Sequence, residues 1–165
     1  MRRKLDWKEE AVLSILQNNS ESSVKWVFFE VLNNEGASCE QVKTYDPPYK
    51  LSYPDFEKYQ ENKLVLLVEV KGYNDWYFNH CNALGMAEYQ YKQYIVVQKK
   101  ESIPVHVVFV MTINNKRLYF WETLNNITGM EYFKEIHYSE RKHKNITHIF
   151  WFANDFRTDI ENLGK

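Results

Sequence analysis

The sequence is short of cysteine, of any excess of one sign of charge, and of long apolar runs, and each shortage closes off a class of protein. Its 165 residues include only two cysteines, Cys39 and Cys81, and they form no Cys-x-x-Cys pair. Two such residues build no disulfide framework. The His80-Cys81 pair and His106 have no second ligand pair at metal-site spacing, so they do not read as a zinc centre. Lysine and arginine number 21 against 22 acidic residues. That balance excludes a protein that coats nucleic acid by bulk charge, while leaving room for a local basic groove. No apolar run approaches the roughly 18 residues of a membrane span, and no signal-type apolar segment opens the chain. The expected setting is the reducing cytoplasm, with no membrane partner.

Aromatic residues, by contrast, are plentiful. They make up 16% of the chain, with 12 Tyr and 5 Trp, enough to furnish both a core and a contact surface. Hydrophobic content of 44% and charged content of 26% at this length fit one domain spanning residues 1–165. No repeat or low-complexity tract divides it.

Periodicity gives the order of elements. Trp7, Val12, Ile15 and Leu16 fall at helical spacing over residues 6–17, with Asp6 placed as an N-cap. A second helix is expected over residues 22–34, with Val24, Val27, Phe28, Val31 and Leu32 on one side and Gly36 as its C-cap. The run 26–29 also suits a strand. Residues 37–45 read as a strand of mixed polarity, ended by Asp46-Pro47-Pro48. A short strand beginning at Tyr53-Pro54-Asp55-Phe56 should turn through residues 61–63 into a second strand over residues 64–73. Residues 74–82 read as irregular. A helix is expected over residues 83–100, with Leu84, Ala87, Tyr91, Tyr94 and Ile95 as its buried stripe and Met86, Gln90, Gln93 and Val97 as a second stripe. Ile103-Pro104 ends it. Residues 105–111 form an apolar strand of the kind covered on both sides, Asn114-Asn115 a turn, and residues 117–121 a return strand. A basic loop at residues 141–144 precedes a last apolar strand over residues 146–152. Helices alternating with strands make an α/β fold.

The stretch over residues 64–73 carries a conflict. Its apolar run suits a buried strand, yet Glu69 and Lys71 interrupt it two positions apart, and so share one face. Buried charges are costly unless they are paired or bind something. Asp55 precedes Glu69 by fourteen positions, the distance that a hairpin closes. Two carboxylates together with water and a backbone carbonyl suit a hard divalent cation, Mg²⁺ or Mn²⁺. A lysine beside them can orient a water or stabilise charge developing on phosphorus.

Pro54-Asp55, followed by Glu69-Val70-Lys71 at the end of an apolar strand, resembles the PD-(D/E)XK nuclease superfamily. The resemblance implies a restriction-endonuclease-like core, a mixed central sheet flanked by helices in α-β-β-β-α-β order. That core would span about residues 22–112, with a C-terminal strand extension over residues 113–165, and it would be similar to resolvase-like members. The resemblance implies that Asp55 and Glu69 are metal ligands together with the carbonyl of Val70, and that Lys71 is the catalytic lysine. It also implies a polar residue on the following helix, Gln93 or its rival Gln90, and in some members an acid on the first core helix, for which Glu21 and Glu30 are the candidates. The function implied is a metal-dependent endonuclease acting on nucleic acid, most naturally DNA, with a two-fold homodimer where both strands are cut. The alternatives are a non-catalytic nucleic-acid-binding domain of the same fold, or a protein-interaction domain in which Glu69 and Lys71 form an ordinary ion pair. The aromatic cluster Tyr73, Trp76, Tyr77 and Phe78 reads either as core or as a wall on which bases stack.

Overall fold

The computed structural model describes residues 5–28, 31–32, 36–37, 53–72 and 75–165. Helix α1 (Trp7–Asn18) opens with a capping box. The Asp6 carboxylate accepts from the N–H groups of Lys8 and Glu9 at 2.9 and 3.0 Å, and Glu9 accepts from the Asp6 N–H at 2.8 Å. The strands β1 (Val24–Phe28), β2 (Val31–Leu32), β3 (Gly36–Ala37), β4 (Phe56–Gln60) and β5 (Lys63–Gly72) follow. Helix α2 (Asp75–Cys81), β6 (Ala83–Ala87), helix α3 (Glu88–Glu101), β7 (Val105–Ile113) and β8 (Lys116–Thr123) come next. The short helix α4 (Leu124–Ile127), β9 (Tyr132–Ser139) and β10 (Lys144–Phe152) complete the named elements.

Five strands form the central sheet in the order β1-β4-β5-β7-β8, antiparallel throughout except for the parallel pair β5–β7. A parallel pair needs a long crossover, and α2, β6 and α3 supply it. Both tight hairpins turn on two left-handed residues, Glu61-Asn62 (φ 50° and 62°) and Asn114-Asn115 (φ 49° and 61°), the geometry that matches the twist of the flanking strands.

Side chains alternate across β5. Val68 and Val70 join Val12 and Leu16 of α1, with Phe56, Val108 and Val110, in one core. Leu67 joins Tyr94 and Val97 of α3, with Val107 and Phe109, in the other. Each such aliphatic side chain contributes roughly 1.5–3 kcal/mol through burial, so the sheet is held from both faces. A second sheet, β6-β10-β9, is antiparallel and extends the α3 side. One of its faces meets α3, where Tyr91 stands edge-on to Trp151 at 5.1 Å; the other meets α2, where Tyr77 lies 4.3 Å from Phe150. Gly85 permits that packing, because a Cβ there would strike the Phe150 ring and the Ile149 carbonyl.

Helix, three-strand meander, helix, strand is the restriction-endonuclease-like order expected from the motif, but several segments differ from expectation. The core begins at α1, not near residue 22. Residues 24–28 form a strand rather than the start of a helix over 22–34, because Val-Lys-Trp-Val-Phe is β-branched and aromatic and pairs with β4 from Val24↔Gln60 to Phe28↔Phe56. Gly36 lies in β3 and caps no helix. The aromatic segment after Gly72 is helical over Asp75–Cys81 rather than irregular. Residues 83–87, expected as the first turn of a helix, form a strand paired with β10, and the helix begins only at Glu88. Leu84, Ala87 and Tyr91 happen to keep helical spacing across that boundary. The expected strand over residues 37–45 lies outside the described residues beyond Ala37. Among the described residues, no helix is long and apolar enough to cross a membrane.

Candidate active site

Asp55, Glu69, Val70 and Lys71 lie where β5 leaves the core. Phe56 pairs with Val68, so one step further along the register Asp55 stands opposite Glu69. Strand β4 starts only at Phe56, and the Asp55 carboxylate takes the place of a ladder acceptor, receiving the Val70 N–H at 2.8 Å. Asp55, Glu69 and Val70 therefore lie together.

Glu69 is 4% exposed. Its Oε1 lies 2.6 Å from Lys71 Nζ, while its Oε2 is buried without a hydrogen-bond partner. The Lys71 ammonium also donates to the Tyr94 hydroxyl at 3.1 Å and sits 5.4 Å from the centre of that ring. Burial, reinforced by the Glu69 charge, pushes the Tyr94 phenol well above its ordinary pKa, so it keeps its proton and serves as a fixed neutral dipole against Lys71.

A third carboxylate, Glu9, comes from α1. It is 2% exposed, and its charge acts on Asp55. It lies on the helix that precedes the meander, whereas the acid expected there was Glu21 or Glu30. Glu21 is exposed beyond the end of α1 and lines a different cavity with Lys58, Gln60 and Val65, toward the β4–β5 turn; Glu30 lies outside the described residues. The signal for Glu9 was present in the sequence, since Glu9, Val12 and Leu16 share one helical face and a carboxylate in an apolar stripe is as anomalous as Glu69. Lys8, beside it, stretches over Gly72, where a Cβ would collide with its side chain.

Gln90 lines a cavity with Lys71 and Gly72; Gln93, on the same helix, is not among the residues that line it. Of the aromatic cluster, Phe78 joins the core, Tyr77 lines the Lys71 cavity, Trp76 is exposed, and Tyr73 lies outside the described residues. His80 stacks on Trp76 at 4.4 Å, and Cys81 is an exposed free thiol.

The electrostatics of the site favour a cation. Desolvation, then the Glu69 charge, raises the Asp55 carboxyl well above its usual range, and Glu9 adds to the rise; the Val70 N–H and Lys71 oppose it. Asp55 is thus desolvated under the negative charges of Glu69 and Glu9, with Lys71 opposing them, and one Glu69 oxygen is buried without a partner. Among the described residues, no three His, Cys, Asp or Glu side chains already converge as a preformed cage. Mg²⁺ does not require one, since it is commonly held by one or two carboxylates and keeps several waters. The donor set fits a hard divalent cation.

No protein-family model and no curated protein matches the chain. Among solved structures, the chain is similar to the 1.6 Å resolution structure of Hjc from Archaeoglobus fulgidus, a Holliday junction resolvase from an archaeal hyperthermophile. The identity is 11% and the TM-score 0.44, with 85% of this chain and 84% of that one covered. At that distance the likeness says nothing of activity.

Proposed function

We propose that the chain, as one domain over residues 1–165, is a divalent-metal-dependent endonuclease that hydrolyses phosphodiester bonds in nucleic acid, most naturally DNA, in the cytoplasm. The observation that carries this reading is the closeness of Asp55 to Val70 and Glu69 near the end of β5, with Glu69 Oε2 buried without a partner and Oε1 held by Lys71. Asp55, Glu69 and the Val70 carbonyl would hold Mg²⁺ or Mn²⁺, with Glu9 supplying further negative charge. The cation, when bound, supplies Lewis acidity and a more acidic water.

The chain's own groups do the rest. Hydrolysis forms a bond from water oxygen to phosphorus, breaks a bond from phosphorus to a sugar oxygen, and passes a proton to the leaving alkoxide. Lys71, steadied by Tyr94 and Glu69, places its ammonium where charge develops on the phosphate oxygens. Lys8, over Gly72, offers a second positive group at the rim. Gln93 or Gln90 would orient the attacking water, and Gln90 is the better placed because it lines the cavity beside Lys71. Cutting both strands of a duplex would call for a two-fold pair of chains.

A non-catalytic nucleic-acid-binding or interaction domain of the same fold is the second reading. One observation favours it: Lys71 already engages Glu69 Oε1 at 2.6 Å. Cleavage of duplex, junction, flap and RNA substrates with added Mg²⁺ or Mn²⁺ separates the two. Metal-dependent cutting that drops at least ~100-fold in Lys71→Ala supports the nuclease; no cutting of any substrate at any metal concentration supports the second reading.

A further inference from the structure

Beside Lys71 lies a cavity of about 360 Å³ whose walls differ from those of the carboxylate corner. Tyr77 of α2, His137 of β9, and His148 and Phe150 of β10 supply flat rings, and Gln90 of α3 supplies a carboxamide. The rings are already locked. The Tyr77 hydroxyl donates to Glu135 at 2.7 Å and lies 2.5 Å from His137 Nε2, while His148 Nδ1 is 3.3 Å from the Ile146 carbonyl. His137 and His148 sit 5.0 Å apart, and Phe150 stacks on Phe133 at 5.1 Å. Burial lowers the His148 pKa, with His137 adding to the effect, so its imidazole stays neutral near pH 7. The Tyr77 phenol is pushed up to about 12, so it is no nucleophile. Gln90 makes no hydrogen bond to the described residues, which leaves its amide available to a ligand.

A preformed cavity with flat aromatic and imidazole walls, a carboxamide, and one lysine at its mouth matches a nucleobase rather than a phosphate. Aromatic and imidazole faces stack bases irrespective of sequence, and a carboxamide can pair with a base edge. The volume lies at the low end for small-molecule sites, which suits one nucleoside and not a base pair. A base within a continuous duplex would enter only by flipping out of the stack, which costs roughly a few kcal/mol that an unpaired base is spared. We propose that this cavity receives the base of an unpaired nucleotide next to the phosphate at Lys71, so that the preferred substrate carries a single-stranded segment, as in a flap or fork, at the point of cutting. This inference rests on the nuclease reading for its meaning but is tested without catalysis.

The test uses the full chain in excess chelator, with DNA carrying 2-aminopurine either in a flap or in a continuous duplex of equal length. The expected result is at least tenfold tighter binding of the flap, with 2-aminopurine fluorescence quenched on binding. His148→Ala and Gln90→Ala should each remove most of that preference. His148→Phe, which keeps a flat ring and guards against simple misfolding of the alanine variant, should retain quenching. Mn²⁺ affinity of His148→Ala, followed by calorimetry, should not change. Equal binding of flap and duplex, or a preference that survives both alanine variants, overturns the inference. Flap preference without any Mn²⁺ binding would instead sink the nuclease reading and leave the base pocket standing.

Discussion

The Val70 N–H donates to the Asp55 carboxylate at 2.8 Å, and this bond ties the end of one strand to the start of its neighbour at the place where the charges of Glu69 and Glu9 act on a desolvated Asp55. The bond favours the ionised form of Asp55, while desolvation and Glu69 oppose it more strongly. The site is thus held in place at some expense to the fold.

That conflict has a sign. Because the folded Asp55 pKa is raised, the penalty is absent below the ordinary carboxylate range and complete once pH passes the raised value. Asp55→Asn keeps an acceptor for Val70 and removes the charge. It should therefore be more stable than wild type at neutral pH by on the order of 1 kcal/mol and unfold at a higher temperature, with the difference shrinking on acidification. Thermal melts of both proteins across pH check this.

His106 works in the opposite sense. Burial is the main cause that lowers its pKa to about 4; its Nδ1 is buried without a partner, and its ring stacks on Trp121 at 5.5 Å. The stability that comes from holding this ring neutral is fully present above the unfolded value of about 6.5 and is lost as pH falls toward 4. Relative to His106→Phe, wild type should lose up to about 3 kcal/mol across that window. Urea unfolding of both proteins at each pH measures the difference directly.

Gly85 faces the Phe150 ring and the Ile149 carbonyl with no room for a methyl group. Gly85→Ala should cost about 1–3 kcal/mol and lower the melting temperature by several degrees. A melting temperature unchanged from wild type would show that β6 and β10 are not packed as described.

How far the sequence disclosed this arrangement depends on how local each signal was. The hairpin carrying Asp55 and Glu69 was readable because the residues 61–63 turn and the apolar run beyond it are both local features, and the same holds for Asn114-Asn115. Val105–Ile113 was readable because a run covered on both faces leaves little else for it to be. Ala83–Ala87 was not, since a short, buried apolar strand paired with the distant β10 has no periodicity of its own to distinguish it from a helix start. Val24–Phe28 was legible only in part: the run 26–29 suits a strand, but Val24, Val27 and Phe28 also keep helical spacing, and pairing with distant β4 decides between them. Glu9 carries both a capping-box position and a place in the apolar stripe of α1, signals that a helix placed over residues 22–34 leaves unread. Gln90 and Gln93 could not be separated from sequence, because the cavity beside Lys71 is completed by β9 and β10, far along the chain.

The most direct test of the central claim is calorimetric titration of Mn²⁺ into the wild-type chain, Asp55→Asn and Glu69→Gln. The account predicts saturable binding in wild type that either substitution weakens by at least ~10-fold, as loss of one of two carboxylate ligands should. A wild-type chain that binds no Mn²⁺, or binding that both variants retain at full strength, would contradict it.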